Sequence, residues 1–281
     1  MKETLSLHPT RDAGVGAPVI ELANVSVAAG GRLDSASLEG IHWRISAGDY
    51  WVIGGLPGSG KSDLLATLAG LYRPLCGTLQ LFGSDVAALS EKDFVAARLR
   101  IGLVFEGGGR LFNQLSLAEN VALPLRYHRG QTGVEAGERV KAILDATGLS
   151  PWAQSTAGRI NQARRQRVAL ARALAMSPEV LLLDNPLGGP GLQETRWWRD
   201  FLAQLAGGHD LLGGRPVTLV LACHDLRPWV DQGKQFALLK QNRWLAVGGR
   251  ADLTCGDEPL LHELLPREFD VGQSAAARGG G

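Results

Sequence analysis

Eight consecutive residues carry the first chemical signal. Gly55-Leu56-Pro57-Gly58-Ser59-Gly60-Lys61-Ser62 fits the pattern GxxxxGK[ST] in full. Glycines at this spacing let backbone N–H groups converge on a phosphate. The run follows a short apolar segment, Tyr50–Ile53, and opens a segment of helical pattern, Ser62–Leu71, whose N-terminus adds partial positive charge. Lys61 is then expected to reach the β- and γ-phosphates, and the Ser62 hydroxyl to sit on Mg2+. A carboxylate for that ion comes from Val180-Leu181-Leu182-Leu183-Asp184, an apolar strand pattern ending in Asp. Alone it would say little; downstream of a complete phosphate loop it points to a bound magnesium nucleotide.

The surrounding pattern supplies elements to position these groups. Alternation over Ile20–Val27 and Leu38–Ile45 predicts strands, with Ile41, Trp43 and Ile45 facing one way, and Thr78–Leu81 alternates again. Ile101–Phe105, Val180–Leu183 and Val217–Ala222 are continuous apolar runs, as strands buried on both faces of a parallel sheet should be. Phe236–Leu239 and Trp244–Val247 read as a hairpin across Gln241-Asn242. Helices are expected over Glu135–Thr147, stopped by Gly148, and over Arg164–Met176, ended by Ser177-Pro178. Trp197, Trp198, Phe201, Leu202 and Leu205 share one helical face and read as core; the arginines at 164, 165, 167 and 172 read as a solvated face. Strands alternating with helices give an α/β fold of the P-loop nucleotide-binding type.

Composition narrows the function. The chain has 281 residues with 29 Lys plus Arg against 28 Asp plus Glu, a net charge of +1, which argues against a nucleic-acid partner held by phosphate neutralisation. Glycine is abundant, 37 of 281 against a usual ~7%. Three cysteines, Cys76, Cys223 and Cys255, form no CxxC and read as reduced thiols of a cytosolic protein. The first residues lack the apolar core of a signal peptide, and no run approaches ~18 apolar residues, so no transmembrane segment is expected. No NKxD-type guanine-reading motif occurs.

The order of phosphate loop, Phe105-Glu106, the Arg165–Leu174 helix RQRVALARAL, Leu181–Pro186 (LLLDNP) and Cys223-His224-Asp225 resembles the ATPase subunit of an ABC transporter, over about residues 20–250. Leu111-Phe112 with Leu115–Arg126 is most similar to ATPases of the mammalian-cell-entry type lipid importers. The resemblance implies a RecA-like parallel sheet core with an antiparallel β subdomain and an inserted α-helical subdomain. It divides the chain into a lead-in (1–18), an ATP-binding domain (19–250, helical subdomain about 107–163) and a C-terminal extension (251–281). It implies ATP and Mg2+ as ligands, with Gly55, Gly58, Ser59, Gly60, Lys61, Ser62 and Asp63 on the nucleotide and Ser62 and Asp184 on the metal. It implies two partners, a membrane-embedded permease and a second ATPase subunit, and a peripheral location on the cytoplasmic face of the cell membrane.

Several positions depart from that pattern. The residue after the aspartate-ended strand, normally the Glu that polarises water, is Asn185; an amide cannot accept that proton, and a factor of ~10²–10⁴ in rate is at stake. The glutamine expected after Phe105 is Glu106, beside a run Gly107–Gly109 one residue longer than expected. The signature loop, which faces the γ-phosphate across a dimer, aligns with Ile160-Asn161-Gln162-Ala163-Arg164, where Gln162 and Ala163 add side chains and Asn161 keeps a donor. The D-loop aspartate is missing from Leu187–Gly191. No aromatic occurs in Val25–Gly31, where the family stacks adenine. Asp63 places a negative charge beside the α-phosphate position, a like-charge contact of about 4 kcal/mol at ~4 Å and an effective dielectric near 20. His224, which senses γ-phosphate in the family, is kept. The combination predicts an ATP-binding subunit with slow or absent hydrolysis of its own. The alternatives are a working ATPase in which Glu106 replaces the lost carboxylate, and a structural subunit that binds no nucleotide.

Overall fold

A computed structural model describes residues 18–131, 133–187, 191–255 and 259–265. Residues 1–17 of the lead-in, Gly188–Pro190 within the segment expected to hold the D-loop aspartate, and the segment from 266 onward lie outside the described residues.

The chain opens with two long strands, β1 (Pro18–Ala29) and β2 (Arg32–Ser46), paired antiparallel across a Gly30-Gly31 turn. Then come β3 (Tyr50–Gly55), the phosphate loop and α1 (Lys61–Leu68). The helix is shorter than the expected Ser62–Leu71: Gly70 takes φ 64 and turns the chain out. The strands β4 (Cys76–Leu81) and β5 (Ser84–Asp85) complete a first sheet of order β2-β1-β4-β5. Gly77 is required there, since a Cβ on it would lie 2.2 Å from the Asn24 carbonyl oxygen.

The helix α2 (Glu91–Leu99) leads to β6 (Ile101–Val104), and α3 (Leu117–Arg129), α4 (Val134–Ala146) and α5 (Gln162–Leu174) follow. These last three helices share a small core of their own, built on Val121, Leu125, Val140, Ile143, Leu144 and Val168. The chain then returns through β7 (Val180–Asp184), α6 (Leu192–Gly207), β8 (Thr218–Cys223), β9 (Gln235–Lys240) and β10 (Arg243–Gly248). It ends with α7 (Arg250–Cys255) and α8 (Pro259–Leu264). The second sheet has the order β10-β9-β3-β8-β7-β6, and only β10 runs antiparallel to its neighbour. The β9–β10 hairpin turns at Gln241 and Asn242, both at positive φ, as the turn reading requires.

The parallel sheet is covered on both faces, and this is why β7 and β8 carry no polar face. One side packs against Trp198, Phe201, Leu202 and Leu205 of α6. The other packs against Leu64, Leu65 and Leu68 of α1 and the first sheet. Leu264 of α8 closes onto β3, where a Cβ on Gly54 would meet it at 2.8 Å.

The arginines of α5 are not a solvated face. Arg164 lies 3.9 Å over the Trp152 ring, Arg165 donates to the Ala157 carbonyl and to Asn113, and Arg167 pairs with Glu194 over Trp197. Arg172 donates to the Arg110 carbonyl, and burial lowers its pKa. They bolt α5 to the segments around it.

Candidate phosphate-binding site

Four neighbouring parallel strands deliver the candidate residues to one edge. The phosphate loop leaves the C-terminal end of β3, Asp184 ends β7, His224 follows β8 and Glu106 follows β6. Open α/β sheets bind ligands outside the carboxyl ends of their strands, and here that edge carries every polar group the sequence singled out near the loop.

The loop is tightly wound. A Cβ on Gly55 would stand 2.5 Å from Ser59 Oγ, and one on Gly60 would press on Ser37 and Leu38 of β2 at 3.1–3.2 Å. Gly58 and Gly60 take φ of 78 and 88. Inside the turn, Lys61 Nζ donates to the carbonyls of Gly55 (2.6 Å) and Leu56 (2.8 Å) and to Ser59 Oγ (3.2 Å). The side chain is buried, which lowers its pKa to about 8, while the negative fields of Asp184 and Glu106 act the other way. Its ammonium lies among acceptors at a helix N-terminus, as a group that meets an anion must.

The Ser62 hydroxyl, in the first turn of α1, lies near the Asp184 carboxylate at the end of β7. Burial raises the pKa of Asp184, Glu106 pushes the same way, and Ser62, Lys61 and His224 pull it down. A hydroxyl and a buried carboxylate side by side, next to a glycine loop tight enough that a Cβ on Gly55 or Gly60 would crowd its neighbours, fit a magnesium triphosphate. His224 Nδ1 lies 3.1 Å from the Gly55 carbonyl oxygen, so the ring stands over the start of the loop.

The two exchanged positions meet. Asn185 Nδ2 donates to Glu106 Oε1 at 2.5 Å. Asn185 sits at φ 43, a conformation Asn tolerates better than most residues, and its backbone is fixed at both ends. Its N–H donates to the Ala222 carbonyl, and its own carbonyl accepts from Gln166 Nε2 at 3.2 Å. Gln166 escaped the sequence reading; the signal was an amide on the buried face of α5.

The glycine run after Glu106 also has a structural cause. All three glycines take positive φ, and a Cβ on Gly108 would lie 2.7 Å from the Arg165 backbone, so the turn rests directly on α5. Gln162 lies over Gly107, its amide nitrogen 3.0 Å from where a Cβ would be. Asn161 spends its side-chain oxygen on the Arg164 N–H and caps α5, and Ala163 lies in the first turn. Asp63 is partly satisfied within the fold, since its Oδ1 accepts the Gly30 N–H at 2.9 Å.

Comparison with known proteins adds a second line. A family model described as ABC transporter matches residues 38–188. The sulfate/thiosulfate import ATP-binding protein CysA of Mycobacterium tuberculosis (strain ATCC 25618 / H37Rv) is 34% identical over 220 residues, 78% of this chain and 59% of that protein. The probable ribonucleotide transport ATP-binding protein mkl of Mycobacterium leprae is 31% identical over 221 residues, 79% of this chain and 62% of its own length. The chain thus spans about three-fifths of these relatives. Among solved structures, the ATP-binding cassette MJ0796 in a dimeric post-hydrolysis state bound to ADP and Pi superposes with a TM-score of 0.69 at 26% identity, covering 80% of this chain and 95% of that one.

Proposed function

The chain belongs to the ABC transporter family, and on that premise we propose that it is an ATP-binding subunit that holds Mg-ATP firmly and hydrolyses it slowly or not at all. In this reading residues 19–250 form the ATP-binding domain, with the helical subdomain at about 107–163. Gly55, Gly58, Ser59, Gly60, Lys61, Ser62 and Asp63 line the phosphates, Ser62 and Asp184 hold Mg2+, and His224 faces the γ-phosphate. The metal supplies charge neutralisation of the β- and γ-oxygens when bound.

The carrying observation is the Asn185–Glu106 contact. An amide stands where a base is needed, and its donor is already given to a carboxylate. ATP then serves as a closure signal between subunits. In a dimer, the partner's site would meet Asn161, Gln162 and Ala163 in place of a glycine-rich loop, so both composite sites carry a defect. A purified-protein ATPase assay tests this: Lys61-dependent turnover of about 1 s⁻¹ or more, the low end of ordinary enzyme rates, refutes it.

The same contact favours one second reading, a working ATPase in which Glu106 supplies the carboxylate. Here Glu106→Gln collapses turnover; unchanged turnover removes the reading. The assembly proposed is a membrane permease with two ATPase subunits, on the cytoplasmic face of the membrane. No helix among the described residues is long and apolar enough to cross a membrane. A lipid cargo rests on the resemblance of Leu111-Phe112 with Leu115–Arg126, and identifying the chains that co-purify from the native membrane tests it.

A further inference from the structure

The edge strands of the two sheets, β2 and β10, meet along one seam, and a cavity of about 710 Å³ opens there. A β-bulge shapes one wall. Between the paired positions Val25↔Ile41 and Val27↔Leu38, β1 has the single residue Ser26 while β2 has two, Glu39 and Gly40. Gly40 takes φ 63, as the glycine of such a bulge does, and all three residues line the cavity. The opposite wall is the β9–β10 turn, with Arg243 and Trp244 behind it. Gln241 and Asn242 hold that turn at positive φ, and the Trp244 ring is packed on Trp43 with 4.4 Å between centroids. The Glu39 N–H, donated to the Asn242 carbonyl at 3.1 Å, ties the two walls together.

The polar side chains on these walls are uncommitted. Glu39, Gln241, Asn242 and Arg243 make no side-chain hydrogen bond or ion pair among the described residues. Glu39 and Arg243 are both exposed and do not meet, whereas Glu21 and Arg44 on the same pair of strands, β1 and β2, close at 3.0 Å. A carboxylate and a guanidinium left apart on one cavity suit a ligand that brings an ammonium and a carboxylate of its own. We propose that the cavity binds a free α-amino acid, with its ammonium on Glu39 and its carboxylate on Arg243. The planar guanidinium fork matches a carboxylate bidentately, and charge-assisted hydrogen bonds are the stronger kind. Half-buried Trp244 offers an apolar wall to the ligand's side chain, and the Gln241 and Asn242 carboxamides supply further donors and acceptors. The volume falls within the roughly 300–1,000 Å³ of small-molecule sites. A sugar would leave both charges unpaired, and a residue inside a peptide chain carries neither terminal charge. The cavity lies outside the phosphate loop, so the proposal stands apart from the nucleotide reading.

The test is calorimetric titration of the full chain, without nucleotide, with each of the common L-amino acids in turn. At least one is expected to bind with a dissociation constant below about 1 mM; none below that value overturns the proposal. The N-acetyl and the carboxamide derivatives of the best ligand each remove one of its charges, and each should bind about fivefold more weakly or worse. A smaller loss with either derivative shows that the ligand is not read as a zwitterion and overturns the assignment. Glu39→Gln and Arg243→Gln change exposed side chains without partners, so both variants should melt with the parent and lose about fivefold or more of affinity. Full affinity in either variant places the ligand elsewhere. Lys61→Ala should bind the amino acid as the parent does; loss of binding there moves the ligand to the phosphate loop and sinks the proposal.

Discussion

Replacing Asn185 by Glu restores the carboxylate that the sequence pattern lacks, and the structure says why this change alone fails. Asn185 Nδ2 touches Glu106 Oε1, so the substitution sets two carboxylates side by side with Asp184 one residue away. Two unit charges ~4 Å apart cost about 4 kcal/mol at an effective dielectric near 20 and about 1 kcal/mol in bulk water. Glu106 is exposed, which favours the lower figure. The φ of 43 adds roughly 1 kcal/mol of strain, because Glu adopts the left-handed region less readily than Asn. Asn185→Glu is therefore destabilised by about 2 kcal/mol, with about 5 kcal/mol as the upper limit, and remains slow. The double variant Asn185→Glu/Glu106→Gln keeps one amide against one carboxylate, with the donor now on residue 106. It should regain all but the strain cost and raise turnover by ~10²–10⁴. Denaturant melts and steady-state phosphate release read both quantities. A double variant that folds and binds ATP yet turns over within about threefold of the parent shows that residue 185 does not limit the rate.

Asp63→Asn keeps an acceptor for the Gly30 N–H and removes a charge near the bound phosphates, so triphosphate affinity should rise by about fivefold in calorimetric titration; a fall contradicts the placement. Gly77→Ala should cost about 3 kcal/mol in urea melts, since its Cβ would sit 2.2 Å from the Asn24 carbonyl oxygen at a φ of 81. Arg139→Met strips the donors from the Leu174 carbonyl and Ser177 Oγ and should lower stability by about 2–4 kcal/mol. Ser116→Ala removes the α3 capping box and should cost about 1 kcal/mol at neutral pH. The Ser116 N–H and hydroxyl hold the Glu119 carboxyl below its usual range. This contribution is present above the unfolded pKa and fades as pH falls through the folded one, so the Ser116→Ala difference should shrink in acid.

The residues that could be read in advance are those whose type answers to one local constraint. The phosphate loop, the buried runs of β7 and β8, the Gln241-Asn242 turn and the Gly148 stop each follow from spacing or backbone freedom. Two helices carry caps that are legible in the sequence: Ser90 with Asp93 opens α2, and Ser116 with Glu119 opens α3. What sequence could not supply was pairing across the chain. Asn185 and Glu106 are 79 residues apart and Asp63 and Gly30 are 33 apart, and nothing local announces either bond. Reading the α5 arginines as solvated failed for the same reason, because their partners, Ala157, Glu194 and Arg110, come from three other segments.

The account reduces to a triphosphate that is gripped but not cut. Loading the chain with γ-labelled ATP and Mg2+, isolating the complex and quenching it at timed intervals measures this directly. More than half of the bound label should still be ATP after about one second, with no label retained by Lys61→Ala. Conversion of the bound label to free phosphate within that first second, dependent on Lys61, would contradict it.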